Sequence, residues 1–298
     1  MAGQANACSV EKLATLPITF NDFMPTVPVL INGRPVHMGV DTGAQNTVIT
    51  PDMAKALGLP QDARHRTNVI GTDGVDQVHN VFVDNMEIGG MQYVMRSIAV
   101  IPLIHESHPG RKTPPMAGLI GTDILADYDV ELDMPGRTMT FYAVAGCSEI
   151  EPPWQGEFAR VPVSLTRSQR LAVPITVDGQ QGTAIFDTGA SGLRMALASA
   201  GHFGVTDDML QNDRRGENSG VGGHVRVVPV HQFDSVAIER ETTHDPAIAI
   251  VDFPASEADM LIGEDYMRAH RFWLSYATKT LFIQRLASER ILTNKSKD

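Results

Sequence analysis

Cysteine is almost missing from this 298-residue chain, with only Cys8 and Cys147 present. Two thiols outside any C-x-x-C spacing cannot build a structural zinc site alone. Basic residues are outnumbered by acidic ones, giving a net charge of −11, and no Lys/Arg-rich run occurs. Nonspecific binding to nucleic acid or to an anionic membrane therefore lacks its electrostatic footprint. No apolar run approaches the roughly 18 residues of a membrane-spanning helix. Several catalytic signatures are also missing: no His-Glu-x-x-His, no glycine loop ending in Lys-Ser or Lys-Thr, no Gly-x-Ser-x-Gly. A zinc peptidase, a P-loop nucleotide hydrolase and an α/β-hydrolase are thereby disfavoured. His105-Glu106-Ser107-His108 lies in a proline-rich loop and is read as no metal pair, and Ser191 has no nucleophile-elbow setting.

What is present fits a soluble globular protein. Hydrophobic residues make up 43% of the chain and are spread along it, which argues against disorder, and the length accommodates two ordinary domains. Met1–Ala7 has neither a basic n-region nor an apolar h-region, and its small residues read as the remnant of a removed signal peptide. Together with the cysteines, this leads to a periplasmic or secreted location as the expectation. Cys8 and Cys147 would form one bridge tying the N-terminal arm to mid-chain, with two buried free thiols as the alternative.

The sequence is written twice. Pro28/Pro174, Gly33/Gly179 and Asp41/Asp187 are each separated by 146 positions (187 − 41), so residues 28–43 and 174–189 share one register without a gap. Each segment is an apolar run, an Asn-Gly or Asp-Gly turn and a second apolar run, the pattern of a β-hairpin. Gly118-Leu119-Ile120-Gly121-Thr122-Asp123 likewise matches Met260-Leu261-Ile262-Gly263-Glu264-Asp265, offset by 142 (263 − 121). A short helical stretch and an alternating strand follow each, at Thr138–Val144 and Lys279–Arg285. Pro51–Gly58 reads as a two-turn helix, with Thr50 as N-cap and Gly58 as stop. The chain is thus expected to be all-β with small helices, in two lobes. The predicted organisation is an arm over 1–15, a first lobe over 16–145, a proline-containing linker over 146–158, a second lobe over 159–287 and a polar tail over 288–298. The first lobe carries an insertion of about eight residues around His105–Met116.

Two Asp-Thr-Gly-Ala motifs, Asp41-Thr42-Gly43-Ala44 and Asp187-Thr188-Gly189-Ala190, each follow an apolar strand. Each is completed by an apolar-apolar-Gly run, Leu119-Ile120-Gly121 and Leu261-Ile262-Gly263. On these residues the chain resembles the aspartic peptidases, in particular a tandem fusion of two retropepsin-like halves as found in exported bacterial relatives. The resemblance covers residues 26–286. It implies a bilobal acid-protease fold of two β-barrel lobes related by a pseudo-two-fold axis, an endopeptidase activity on an extended polypeptide, and no cofactor or metal. It also implies a monomer, because both halves of the site lie in one chain.

The resemblance makes Asp41 and Asp187 the catalytic pair. Two carboxylates brought together cannot both ionise cheaply, so they share a proton and activate water by general acid/base catalysis. Thr42 and Thr188 would bond across the interface, Gly43 and Gly189 would admit backbone amides to the carboxylates, and the two apolar-Gly runs would pack behind the loops. Ala44 and Ala190 carry no hydroxyl to favour the ionised form, so the pair should be less acid-shifted than in pepsin-like enzymes, with a mildly acidic optimum. Glycine-rich tips at Ile70, Gly71, Thr72 and Gly74, and at Val221, Gly222 and Gly223, would form two flaps over the substrate. The alternatives are a non-catalytic peptide- or protein-binding module on the same fold, since fold does not fix activity, and a narrow-specificity processing protease.

Overall fold

The structure, a computed structural model, describes residues 7–71, 74–94, 97–103, 115–220, 225–255 and 257–286. Strands dominate it, and the two repeated segments fold alike. Met24–Ile31 and Arg34–Val40 form one antiparallel hairpin, and Leu171–Val177 and Gln180–Phe186 form its counterpart. Both turn residues of each have positive φ: Asn32 (48°) and Gly33 (76°), then Asp178 (46°) and Gly179 (82°). That pairing of backbone angles suits the twist of the flanking strands, and it explains why Asn-Gly and Asp-Gly occupy these positions.

Each hairpin belongs to a ten-stranded sheet, and the two sheets have the same strand order. In the first, the path runs Gln61–Gly71, Gly74–Val81, Ile98–Val100, Val48–Ile49, Met116–Ile120, Arg34–Val40, Met24–Ile31, Met86–Ile88 and Met91–Tyr93. In the second it runs Arg214–Ser219, Val225–Gln232, Ala247–Val251, Arg194–Ala196, Met260–Ile262, Gln180–Phe186, Leu171–Val177, Ser235–Ile238 and Glu241–His244. A tenth strand, Thr19–Asn21 or Ser164–Leu165, pairs off the path. The expected two-lobed, strand-rich fold is therefore present, although among the described residues each path stays open and does not close into a barrel.

A third sheet was not foreseen. Six antiparallel strands run Ser9–Pro17, Thr138–Ala145, Asp129–Asp133, His270–Ser275, Thr280–Arg285 and Ala159–Pro162. The alternating strands read as parts of separate lobes share this one sheet, on either side of the central pair formed by Asp129–Asp133 and His270–Ser275. Local alternation marks a strand but does not name its partner, so this sheet could not be read from periodicity. The stretch after Cys147 does more than connect: Ile150 and Trp154 pack with Tyr142, Trp273 and Phe282, and Trp154 Nε1 donates to Glu131 Oε1 (2.8 Å).

The helices are short. Thr50 caps Pro51–Leu57, its hydroxyl accepting the Met53 N–H (3.3 Å), and Gly58 ends the helix at φ 66°. Among the described residues no helix is long and apolar enough to cross a membrane. Cys8 and Cys147 form a disulfide with a Cα–Cα distance of 4.4 Å, just beyond the Ser9–Ala145 strand pair. The insertion around His105–Met116 falls on 104–114, outside the described residues, with Met116 opening a strand; the tail over 288–298 lies outside them as well.

Candidate active site

Each Asp-Thr-Gly follows directly on the second strand of its hairpin, Arg34–Val40 or Gln180–Phe186. The strand after it in the sheet then holds it in place. The Asp41 N–H donates to the Ile120 carbonyl and the Asp187 N–H to the Ile262 carbonyl, both at 3.0 Å. Leu119, Ile120, Leu261 and Ile262 are buried behind the two loops. Gly121 and Gly263 lie so close to the loops that a Cβ on either would strike backbone, at Asn46 and Ala44 or at Gly192 and Ala190. The spacing of the apolar-Gly runs is thus a spacing of backbone contacts.

The two threonines interlock. The Thr42 N–H donates to Thr188 Oγ1 (3.0 Å), and that hydroxyl donates to the Val40 carbonyl (2.5 Å). Reciprocally, the Thr188 N–H donates to Thr42 Oγ1 (3.1 Å), which donates to the Phe186 carbonyl (2.6 Å). Four hydrogen bonds therefore cross between residues 144 to 148 apart, with both threonines fully buried.

This grip brings the carboxyl groups of Asp41 and Asp187 within hydrogen-bonding reach of each other. The glycines fit across the same junction: a Cβ built on Gly43 would overlap the Asp187 carboxyl, and one on Gly189 would overlap that of Asp41. Asp41 Oδ1 accepts the N–H groups of Gly43 and Ala44 (both 2.9 Å), and Asp187 Oδ1 accepts that of Gly189 (2.8 Å). Both aspartates are 9% exposed or less. Burial, and next the charge of Asp187, push Asp41 up to about 8. Asp187 is also raised by burial, but the Gly189 N–H and the charge of Arg170 pull it back. Both protons cannot leave cheaply from such a pair.

The two glycine-tipped segments expected to act as flaps fall on antiparallel hairpins, each described up to its tip. Gln61–Gly71 pairs with Gly74–Val81 up to Gly71–Gly74, so Gly71 and Gly74 flank the tip and Ile70 lies in the strand. Thr72 falls outside the described residues. In the second lobe Arg214–Ser219 pairs with Val225–Gln232 up to Ser219–Val225, and Val221, Gly222 and Gly223 fall outside the described residues.

The sequence reading missed several residues near Asp187. Arg170 donates through Nε to Ser168 Oγ (3.1 Å) and is paired with Glu257. Arg194 donates to Ser191 Oγ (2.8 Å), to Asn218 Oδ1 (3.2 Å) and to the Leu193 carbonyl (3.0 Å). The 146-residue register already held the signal, because it sets Arg170 against Met24 and Arg194 against Val48. Among the described residues no group of three or more His, Cys, Asp or Glu is arranged around a metal-sized space.

Comparison with known proteins agrees with this geometry. The aspartyl protease family matches twice, over residues 27–124 and 173–266. The chain belongs to that family, as a tandem retropepsin-like member with one copy in each lobe. It is also similar to DNA damage-inducible protein 1 of Phaeosphaeria nodorum, at 29% identity over 157 residues. That match takes in 52% of this chain and 31% of the relative, so the chain spans under a third of that protein's length.

Proposed function

We propose that the chain is an aspartic endopeptidase in which Asp41 and Asp187 act as one general acid/base pair. The observation that carries this reading is the reciprocal junction itself, with two buried carboxyls in contact and each motif's glycine seated against the other lobe's aspartate. Asp187, beside Arg170, is the better anion and takes the proton of an attacking water. Asp41 holds the shared proton and donates it to the scissile carbonyl oxygen and, as the tetrahedral intermediate collapses, to the leaving amine. The Thr42–Thr188 grip fixes the relative position of the two loops, so little reorganisation is needed during reaction. The Gln61–Val81 and Arg214–Gln232 hairpins serve as two flaps over an extended polypeptide, and the lobes span 16–145 and 159–287. Neither lobe alone contains the pair, and a monomer suffices. The disulfide is compatible with an oxidising compartment, the periplasm or the cell exterior.

The active form carries one proton on the pair. Activity should therefore fall above about pH 8, where Asp41 also ionises, and fall on the acid side as Asp187 becomes protonated. The test incubates wild type, Asp41→Asn and Asp187→Asn with a diverse peptide library from about pH 2 to about pH 10 and sequences the products by mass spectrometry. Loss of at least about 10³-fold in both variants is expected. Cleavage that survives in either variant refutes the pair, and a peak near pH 2 refutes the proton assignment. No cleavage in any sample, with peptide binding retained, would replace the peptidase with a binding module.

A further inference from the structure

The two flap hairpins can be compared position by position through their ladders. Asn80 pairs with Ala99 in the first lobe and Val230 with Ala249 in the second, and Ala99 and Arg194's partner Ala249 stand beside Val48 and Arg194 respectively. Counting four residues toward each tip reaches Asp76, opposite Val69, and Arg226, opposite Asn218. Three matched positions then differ in kind: Val48, Val69 and Asp76 in the first lobe, Arg194, Asn218 and Arg226 in the second.

The first set is apolar beneath its hairpin, where Val48 packs in one cluster with Val69. In the second, Arg194 Nε bonds Asn218 on the hairpin while Nη2 bonds Ser191 on the loop carrying Asp187. Arg194 thus spans the space between the hairpin and the loop carrying Asp187, where the charge of Asp265 and, after it, that of Asp187 act on it. Its hydrogen bonds occupy three of the guanidinium's five N–H groups, leaving two donors without a partner among the described residues. Arg226 is exposed on the same face as buried Asn218, because directly paired residues share a face.

We infer that Arg194, assisted by Arg226, forms a subsite for an acidic side chain on the second-lobe side of the cleft, opposite an apolar subsite at Val48 and Val69, and so fixes the direction in which a polypeptide lies. The assignment rests on the peptidase reading for where the polypeptide binds. A carboxylate meets a guanidinium in a partly dry setting, where charge-assisted bonds are strongest. On the first-lobe side the same carboxylate would meet valine and the like charge of Asp76.

The test measures equilibrium binding as well as cleavage. Peptide pairs differing only by Glu or Gln at one position are bound to Asp41→Asn, in which the peptidase reading expects no turnover, and fluorescence anisotropy reads the affinity. At positions on one side of the scissile bond only, Glu should bind about tenfold more tightly than Gln. Arg194→Val in that background should erase the preference, and Arg194→Lys should retain part of it. Arg226→Ala, an exposed change, should weaken it without altering the melting temperature. Equal binding of Glu and Gln peptides, or a preference unchanged in Arg194→Val and Arg226→Ala, overturns the assignment. Glu-selective binding without cleavage by wild type would uphold the subsite and reject the peptidase, and cleavage without Glu preference would do the reverse.

Discussion

The two lobes share a backbone and differ in the charge they place around it. Where the two Asp-Thr-Gly loops meet, symmetry is close to complete: matched threonines make the same pair of bonds, at 3.0 and 2.5 Å one way and 3.1 and 2.6 Å the other. Outward from that junction it fails. Met24 faces Arg170 in the register, Val48 faces Arg194, and Thr122 faces Glu264. Thr122 Oγ1 reaches across to the Ser168 carbonyl (2.7 Å), whereas buried Glu264 turns to Arg268 on its own helix (2.7 Å). A reaction that needs one acid and one base requires a symmetric frame to juxtapose two identical groups. It then requires asymmetric surroundings to make them behave differently.

The shared sheet offers the largest test of this contrast. Its Ser9–Pro17 edge is stapled by the Cys8–Cys147 disulfide, and its Ala159–Pro162 edge is held by strand pairing and the exposed Arg160–Glu151 pair. The bridge closes a loop of 139 residues, for which the chain-entropy argument gives about 5 kcal/mol as an upper figure and disulfides typically deliver about 2–4 kcal/mol. Reduction, or Cys8→Ser with Cys147→Ser, should lower the unfolding free energy by about 2–4 kcal/mol in a chemical-denaturation experiment. Hydrogen exchange should rise first along Ser9–Pro17 and Thr138–Ala145, and the opposite edge should keep its protection. Equal loosening of both edges would show that the bridge supports the whole sheet.

How far these features were legible beforehand follows from their range. The hairpins and the Pro51–Leu57 helix depend on contacts within about a dozen residues, and turn chemistry and caps announce them, whereas the Asp-Thr-Gly loops are held by distant strands and are legible only as a repeated motif. Their pairing across 146 residues was readable because a repeat is a long-range statement written in local terms. The six-stranded sheet was not, since nothing in Asp129–Asp133 names His270–Ser275 as its neighbour. Arg170 and Arg194 are hidden for the opposite reason: a repeat is recognised by what its halves share, and these are positions where the halves differ.

Next in size is the threonine grip. Thr188→Val removes the acceptor for the Thr42 N–H and the donor to the Val40 carbonyl, leaving two buried groups unpaired at a cost of about 2 kcal/mol. Thr42→Val should cost about as much through the Thr188 N–H and the Phe186 carbonyl. Because the bonds form one network, the double variant should lose clearly less than the sum, as measured by a chemical-denaturation cycle. Additive losses would mean that the two halves of the grip act independently.

The smallest effect on stability should accompany the most informative change in chemistry. Arg170→Met gives the second lobe the residue of the first, and the half-buried Arg170–Glu257 pair is worth under about 1 kcal/mol once solvent screening is allowed for. Its charge, however, lowers Asp187 and is not among the influences on Asp41. Without it, ionised Asp187 is less favoured, so the acid limb of the pH–rate profile should move to higher pH while the alkaline limb near 8 stays in place. The stability sign follows the same logic. Both carboxyls are raised in the folded state, so the native protein binds more protons than the unfolded chain above the ordinary value of 3.8. Stability therefore falls as pH rises from there toward 8, and it should fall more steeply in Arg170→Met. The Arg170→Met, Glu257→Gln double variant separates the lost cation from the uncovered anion. If the acid limb shifts only while Glu257 is present, the asymmetry of the pair comes from the carboxylate left behind and not from the arginine itself.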